Sequence, residues 1–209
     1  MFTKKFRYQD GWYEGGTFAK APHGKGKIAF DNGDYYEGEF NYGMIAGNGT
    51  FIFKSGDFYV GEFYHSKFSG FGTYTSKRYG WTLIGEFAFG EANGQGELIY
   101  QNGARYVGGF WHFKPHGQGI HTYPDGSRYE GEFSMGKFRG HGVAHYADGG
   151  VYDGEWLDDK MHGEGVYYYP NGVRYSGSWD NGKKHGFGNM FYPNGTVKSG
   201  YWNRGTFQG

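Results

Sequence analysis

Tyr36-Glu37-Gly38-Glu39-Phe40 returns as Tyr59-Val60-Gly61-Glu62-Phe63. It returns again as Tyr106-Val107-Gly108-Gly109-Phe110, Tyr129-Glu130-Gly131-Glu132-Phe133, Tyr152-Asp153-Gly154-Glu155-Trp156 and Tyr175-Ser176-Gly177-Ser178-Trp179. A fixed period of roughly 20 to 50 residues marks a stacked array, in which each repeat touches only its neighbours. Such chains serve as extended surfaces and spacers rather than enclosed reaction vessels.

With the lead residue at position 0, repeats begin at Tyr13, Tyr36, Tyr59, Leu83, Tyr106, Tyr129, Tyr152, Tyr175 and Lys198. Glycine stands at position 2 in each, from Gly15 to Gly200, and again at positions 11 and 13, from Gly24 and Gly26 to Gly186 and Gly188. Position 4 is Phe or Trp, with the first repeat read as slipped to Phe18. Position 17 carries Phe30, Phe53, Tyr100, Tyr123, Tyr146, Tyr169 and Tyr192, followed by turns such as Asp31-Asn32-Gly33 and Pro124-Asp125-Gly126. Side chains alternate along a strand, so positions 0, 2 and 4 share a face, as do 13, 15 and 17. Asn-Gly and Asp-Gly supply the positive φ of tight turns, while dense glycine disfavours helix. Each repeat therefore reads as a β-hairpin with aromatic rings on one face. The other face is polar. Glu39, Glu62, Glu86, Glu132 and Glu155 make an acidic row at position 3, and Lys67, Lys114, Lys137, Lys160 and Lys183 a basic row at position 8, read as the hairpin turn.

Composition narrows the function classes. The 209 residues hold 43 glycines and 22% aromatics, too few aliphatics for an ordinary globular core. Net charge is zero, which gives no support for broad nucleic-acid binding or strong attraction to an anionic membrane. Without cysteine, disulfides and thiolate metal ligation are excluded. No apolar run approaches the ~18 residues of a membrane span, and the start lacks the apolar stretch of a secretion signal. A cytosolic or nuclear chain is the expectation.

These residues resemble the MORN repeat (membrane occupation and recognition nexus). Its pattern is close to Tyr-x-Gly-x-Trp-x-x-Gly-x-x-x-Gly-x-Gly, and Tyr175 to Gly188 fits every fixed place. The resemblance implies an all-β fold: an elongated, single-layer antiparallel ribbon of stacked 23-residue hairpins, with an aromatic groove that a helix or peptide covers. Eight full repeats would span roughly 80 Å at two inter-strand spacings each. The expected organisation is a half-repeat or cap over 1–12, the array over 13–205 with a partial ninth repeat, and a tail over 206–209.

Two departures stand out. The third repeat has one extra residue, in Ser76-Lys77-Arg78-Tyr79-Gly80-Trp81. It reads either as a surface insertion or as a bend that displays Arg78, Tyr79 and Trp81 to a partner. The ninth repeat stops after Lys198, Gly200, Trp202 and Gly205 with no second strand. It would leave an open edge at Lys198 and Trp202 for self-association as a homodimer, unless the chain is a fragment.

Chemistry is mostly excluded. His23, His116, His162 and His185 share position 10, but backbones one repeat apart are separated by about 9–10 Å, too far for ligands at ~2.0–2.1 Å from one zinc. They read as turn-supporting residues. The Gly-x-Gly pairs precede strands where a nucleotide fingerprint needs a helix. No cofactor, metal site or catalytic set is expected.

What remains is recognition. The expected docking groove is formed by Tyr36, Phe40, Tyr59, Phe63, Tyr106, Phe110, Tyr129, Phe133, Tyr152, Trp156, Tyr175 and Trp179, unless those rings pack only on each other. The partner is an amphipathic helix or extended segment. A chain made of MORN repeats is similar to cytoskeletal and ciliary (flagellar, radial-spoke-like) scaffold members, which sets the first expectation for function and location. The alternative is a peripheral adaptor that reads phosphoinositide or other anionic lipid through Lys67, Lys114, Lys137, Lys160 and Lys183. A domain that regulates an enzyme on another chain is a third reading.

Overall fold

The computed structural model describes residues 4–209. Among the described residues nineteen strands, from Lys4–Tyr8 to Thr206–Phe207, form one open antiparallel sheet with no helix. Within the chain's contacts two compact bodies separate. The N-terminal body runs to Gln101 and takes in Phe110–Phe113; the C-terminal body holds Asn102–Gly109 and Lys114–Gly209. In each body the strands pair in sequence order as a meander.

One repeat shows the physics of all. Strands Tyr35–Asn41 and Met44–Ile52 form a hairpin in which Gly38 faces Gly49 and Tyr36 faces Phe51. The register then shifts, so that Glu39 faces Ala46 and the residues Gly47 and Asn48 bulge out. Gly47 takes φ +58°, a left-handed conformation suited to a bulge. The bulge frees backbone groups, and two side chains satisfy them. The Tyr36 hydroxyl donates to the Glu39 carbonyl at 3.0 Å. The Glu39 carboxylate accepts the Asn48 N–H at 3.2 Å. Glu62, Glu86 and Glu155 accept the amides of Phe71, Gln95 and Glu164 in the same way. Glu39, Glu62, Glu86 and Glu155 of the acidic row are thus bulge caps on an exposed face.

The core is one ring deep. Tyr13, Tyr36, Tyr59, Tyr106, Tyr129, Tyr152 and Tyr175 are all buried. Each meets the position-4 ring of the next repeat edge-on, as in Tyr13–Phe40 at 5.0 Å, Tyr36–Phe63 at 5.1 Å and Tyr152–Trp179 at 5.3 Å. Such pairs add about 0.5–1.5 kcal/mol each beyond the area they bury. Between repeats, the amide of each hairpin turn reaches back to the preceding hairpin, as in Gly43 N–H to the Pro22 carbonyl and Gly182 N–H to the Met161 carbonyl, both 2.8 Å.

Several sequence expectations need correction. Phe18 does not replace the position-4 ring: Thr17 pairs with Pro22 in that place, and Phe18 points outward, exposed. The extra residue of the third repeat makes no bulge. Lys67–Ser76 and Trp81–Ala88 pair without a register shift, and the insertion is absorbed in the turn, whose amides at Lys77 and Arg78 bond to Asp57 Oδ1. The chain after Gly205 is not a free tail. Thr206–Phe207 pairs with the strand Val197–Asn203, and Gly209 accepts a bond from the Tyr201 amide at 3.1 Å. At the other end Lys4–Tyr8 pairs with Gly11–Phe18 as the second strand of a half-repeat. Residues 1–3 of the expected cap lie outside the described residues.

Candidate functional site

The twelve rings expected to contact a partner are aligned on one face but sealed. Tyr36, Phe40, Tyr59, Phe63, Tyr106, Phe110, Tyr129, Phe133, Tyr152, Trp156, Tyr175 and Trp179 are each at most 6% exposed. They are the floor of that face. Above them lies a second layer of side chains, at positions 9, 15 and 17.

In the N-terminal body this upper layer is a stripe of half-buried rings. Phe30 lies 5.9 Å from Phe51, Phe51 lies 4.8 Å from Phe53, and Phe53 lies 6.0 Å from Tyr74. Tyr74 stacks on Trp81 at 5.4 Å and meets Phe113 at 5.5 Å. Trp81 is therefore part of this stripe, whereas Tyr79 stands out in solvent beneath the Arg78 guanidinium. A cleft of about 350 Å³ opens on the same face, with Ile28, Phe30, Phe40, Ile45 and Phe51 as its apolar lining and Asp10, Asn32, Asp34 and Ser66 at its rim. Burial raises the Tyr74 phenol pKa, helped by the nearby Asp57 carboxylate.

The C-terminal body has its own upper layer. Tyr146 stacks on Tyr167 at 5.8 Å, and Tyr167 lies 4.5 Å from Tyr169. Burial pushes the Tyr146 phenol up to about 12. Lys184 stands where other repeats carry Phe68 or Phe138. Its ammonium lies 5.4 Å from the Tyr169 and Tyr175 rings and 4.6 Å from Trp202, and burial lowers its pKa. Nothing in the repeat pattern distinguishes this lysine from the exposed Lys183 beside it except a shift of one position, which turns it to the ring face.

Lys67, Lys114, Lys137, Lys160 and Lys183 are exposed, at the first residue after each turn rather than within it. Lys137 lies 3.6 Å from Asp158, and Lys160 bonds to Asn181. Asp158, Asp159 and Asp180 offset the charge of this row in the C-terminal body. The open edge read at Lys198 and Trp202 is partly covered: Phe207 packs on Trp202 at 5.1 Å, and Lys198 lies over the Phe207 ring at 3.8 Å.

The opposite face of the N-terminal body holds a larger trough, about 630 Å³. Its floor is the glycine track Gly15, Gly26, Gly38, Gly49 and Gly61, and its walls mix Glu14, Glu37 and Glu39 with Lys25 and Lys27. Among the described residues, no group of three His, Cys, Asp or Glu is placed to hold a metal ion. His23 instead accepts the Tyr42 amide at 3.4 Å. No helix among these residues is long and apolar enough to cross a membrane.

The sequence pattern described as the MORN repeat matches residues 13–35, 36–58, 59–80, 84–105, 106–128, 129–151, 152–174 and 175–197. No curated protein sequence matches the chain. Among solved structures, the chain is similar to the SAS-4 (dCPAP) TCP domain of Drosophila Melanogaster, in complex with a proline-rich motif of Ana2 (dSTIL). Identity is 12% over 96% of this chain and 90% of that one, with a TM-score of 0.36. It is also similar to a catalytically inactive virginiamycin B lyase from Staphylococcus aureus with quinupristin, at 14% identity over 95% of this chain. This chain covers 58% of that lyase, with a TM-score of 0.18.

Proposed function

This chain belongs to the MORN-repeat family, whose repeats are protein- or membrane-interaction modules, and from that premise we propose that it is a non-catalytic scaffold that holds a partner segment on the ring-bearing face of its N-terminal body. The observation that carries the reading is the half-buried stripe Phe30, Phe51, Phe53, Tyr74 and Trp81 beside the apolar cleft. A row of aromatic anchors over a sealed floor suits a helix or extended segment, which buries ring edges without disturbing the core. Placement in a cytoskeletal or ciliary assembly is proposed from the family resemblance alone.

Hydrogen exchange on the chain with and without axonemal extract fractions tests it. Protection should rise at Phe51, Phe53 and Tyr74, and the Phe53→Ser, Tyr74→Ser variant should lose the bound material. Unchanged protection along this stripe would sink the reading. A second reading, anionic-lipid binding, is favoured by the exposed row Lys67, Lys114, Lys137, Lys160 and Lys183. Its test is pelleting with phosphoinositide vesicles at physiological salt, where the nearby aspartates should weaken attraction.

A further inference from the structure

The hairpin turns of the N-terminal body carry rings that the fold does not use. Each turn has two central residues in the left-handed region, the type I′ geometry that favours Asn-Gly. Asn181-Gly182 in the C-terminal body fits, with φ +50° and +77°. In the N-terminal body the same turns are Ala19-Lys20 (+50°, +67°), Tyr42-Gly43 (+47°, +87°), His65-Ser66 (+48°, +59°), Phe89-Gly90 (+58°, +95°) and His112-Phe113 (+49°, +60°), where Phe113 alone packs inward, on Tyr74 and Phe87. A bulky side chain held left-handed costs about 1–2 kcal/mol. Burial does not offset that strain, because Phe89 is 86% exposed and Tyr42 60%. Phe18, Tyr64 and Trp111, the residues that flank these turns, are at least half exposed as well. The C-terminal body provides an internal contrast: its turns hold Asp158-Asp159, Asn181-Gly182 and Arg204-Gly205, with Met135 the one apolar tip. Strained and exposed aromatic residues therefore gather on one edge of one body.

Spacing identifies the occupant. Successive hairpins in a sheet advance by two inter-strand distances, about 9.6 Å. A polyproline II helix repeats every three residues, about 9.3 Å. An α-helix returns a residue to the same face at about 5.4 or 10.5 Å and drifts out of step within two hairpins. At three of the turns, Phe89 excepted, the rings are also grouped into separate notches. Phe18, His23 and Tyr42 enclose one, with centroids 5.0–5.7 Å apart. Tyr64 stands against His65 at 4.2 Å, and Trp111 against His112 at 4.6 Å. Ring-walled notches take pyrrolidine rings, as in other proline-recognition surfaces. Charge selects further. Lys20 and Lys67 are exposed at these turns, and the one carboxylate there, Glu91, is engaged by the His112 imidazole.

We propose that this turn edge is a docking ladder for a polyproline II segment with proline at every third residue and acidic residues between. The edge is distinct from the ring-bearing sheet face, so either surface can fail without the other.

Two synthetic peptides with the same number of prolines test the ladder by calorimetry on the full chain. One has proline at every third residue with glutamate between; the other has proline at every fourth. The first should bind, and the second should bind about tenfold more weakly or not at all, the usual consequence of losing an aromatic anchor. The variant Tyr42→Asn, Phe89→Asn should lose the first peptide while its thermal midpoint holds or rises, because Asn accepts the left-handed turn. Equal binding of the two spacings would overturn the proposal, as would binding unchanged in the turn variant or lost only in Phe53→Ser. So would pelleting with phosphatidylcholine–phosphatidylserine vesicles that the turn variant abolishes, with no peptide binding; the edge would then be a membrane contact.

Discussion

The ring of Tyr36 lies against the bare backbone of Gly49. A Cβ built on Gly49 would fall 2.5 Å from Cε2 of that ring and closer still to its hydroxyl, with no flexible neighbour to yield. Gly49→Ala should therefore destabilise the N-terminal body by about 2–3 kcal/mol, the scale of overpacking. Gly24→Ala is the matched control: nothing lies within 4 Å of its Cβ, and only its φ of +75° opposes a side chain. It should lose about 1 kcal/mol. Equal losses in urea denaturation would mean that ring contact is not why glycine occupies position 13.

The Tyr59 hydroxyl lies 3.0 Å from the Glu62 carbonyl and 3.2 Å from the Ser69 carbonyl at the bulge, and its one proton is shared between them. Tyr59→Phe keeps the ring and strands those acceptors. The expected loss is about 1–2 kcal/mol. Leu83 heads its repeat without any hydroxyl. The bond is therefore dispensable one repeat at a time, and the variant should fold. A denaturation midpoint unchanged from the parent would refute the bond's role.

The hairpin period, the ring face and the turn glycines were legible in the sequence because each follows from alternation and φ. Burial depth was not. Positions 0 and 4 and positions 15 and 17 share a face, and alternation cannot say which layer covers the other. The glutamates of position 3 looked solvated for the same kind of reason: their partners, such as the Phe71 amide, arise only once a bulge displaces the backbone. Phe18 and Thr17 show the limit most plainly: size favours the ring for the core, but the register pairs Thr17 with Pro22 in that place. The exposed turn rings carried a usable signal, because Tyr42 and Phe89 stand at offsets where Asn181 stands later in the chain.

Alkaline pH should unfold the sheet through its buried phenols. Burial pushes Tyr59 up to about 12, and Tyr175 likewise; Tyr36, Tyr106, Tyr129 and Tyr152 are raised further by the same cause. The unfolded chain releases these protons near pH 10, the ordinary phenol value. The native state holds them, so their contribution is intact below pH 10 and is lost as pH climbs from 10 towards 12. Tyrosinate absorbance should rise in a cooperative step that coincides with loss of the β-sheet circular dichroism. One smooth titration with the sheet retained would contradict this.

The Glu62 carboxylate should matter more than its exposure suggests, because it accepts the Phe71 amide at 3.2 Å across the bulge. Glu62→Ala should cost about 1 kcal/mol and speed amide exchange at Phe71. Glu130, an exposed carboxylate at position 1 that meets Arg128 at 3.3 Å, is the comparison. Glu130→Ala should stay within about 0.5 kcal/mol. If both behave alike, the row at position 3 is ordinary surface charge.

Trp202 owes its burial to the chain that follows it. Its indole is 7% exposed, with Phe207 at 5.1 Å on one side and the Lys184 ammonium at 4.6 Å on the other. Its Nε1 is buried without a partner, whereas Trp156 and Trp179 donate to the Gly142 and Gly165 carbonyls at 2.9 and 3.2 Å. The indole therefore depends on apolar and cation contacts alone. Phe207→Ala removes one of these and opens one side to water, where the orphaned N–H gains a hydrogen bond. That compensation should hold the stability loss near the low end for a ring truncation, about 2 kcal/mol rather than 3–5. Trp202 emission should shift to the red, read in a chain whose other five tryptophans are replaced by Phe. Emission unchanged by Phe207→Ala would mean that the C-terminal residues do not cover this edge in solution.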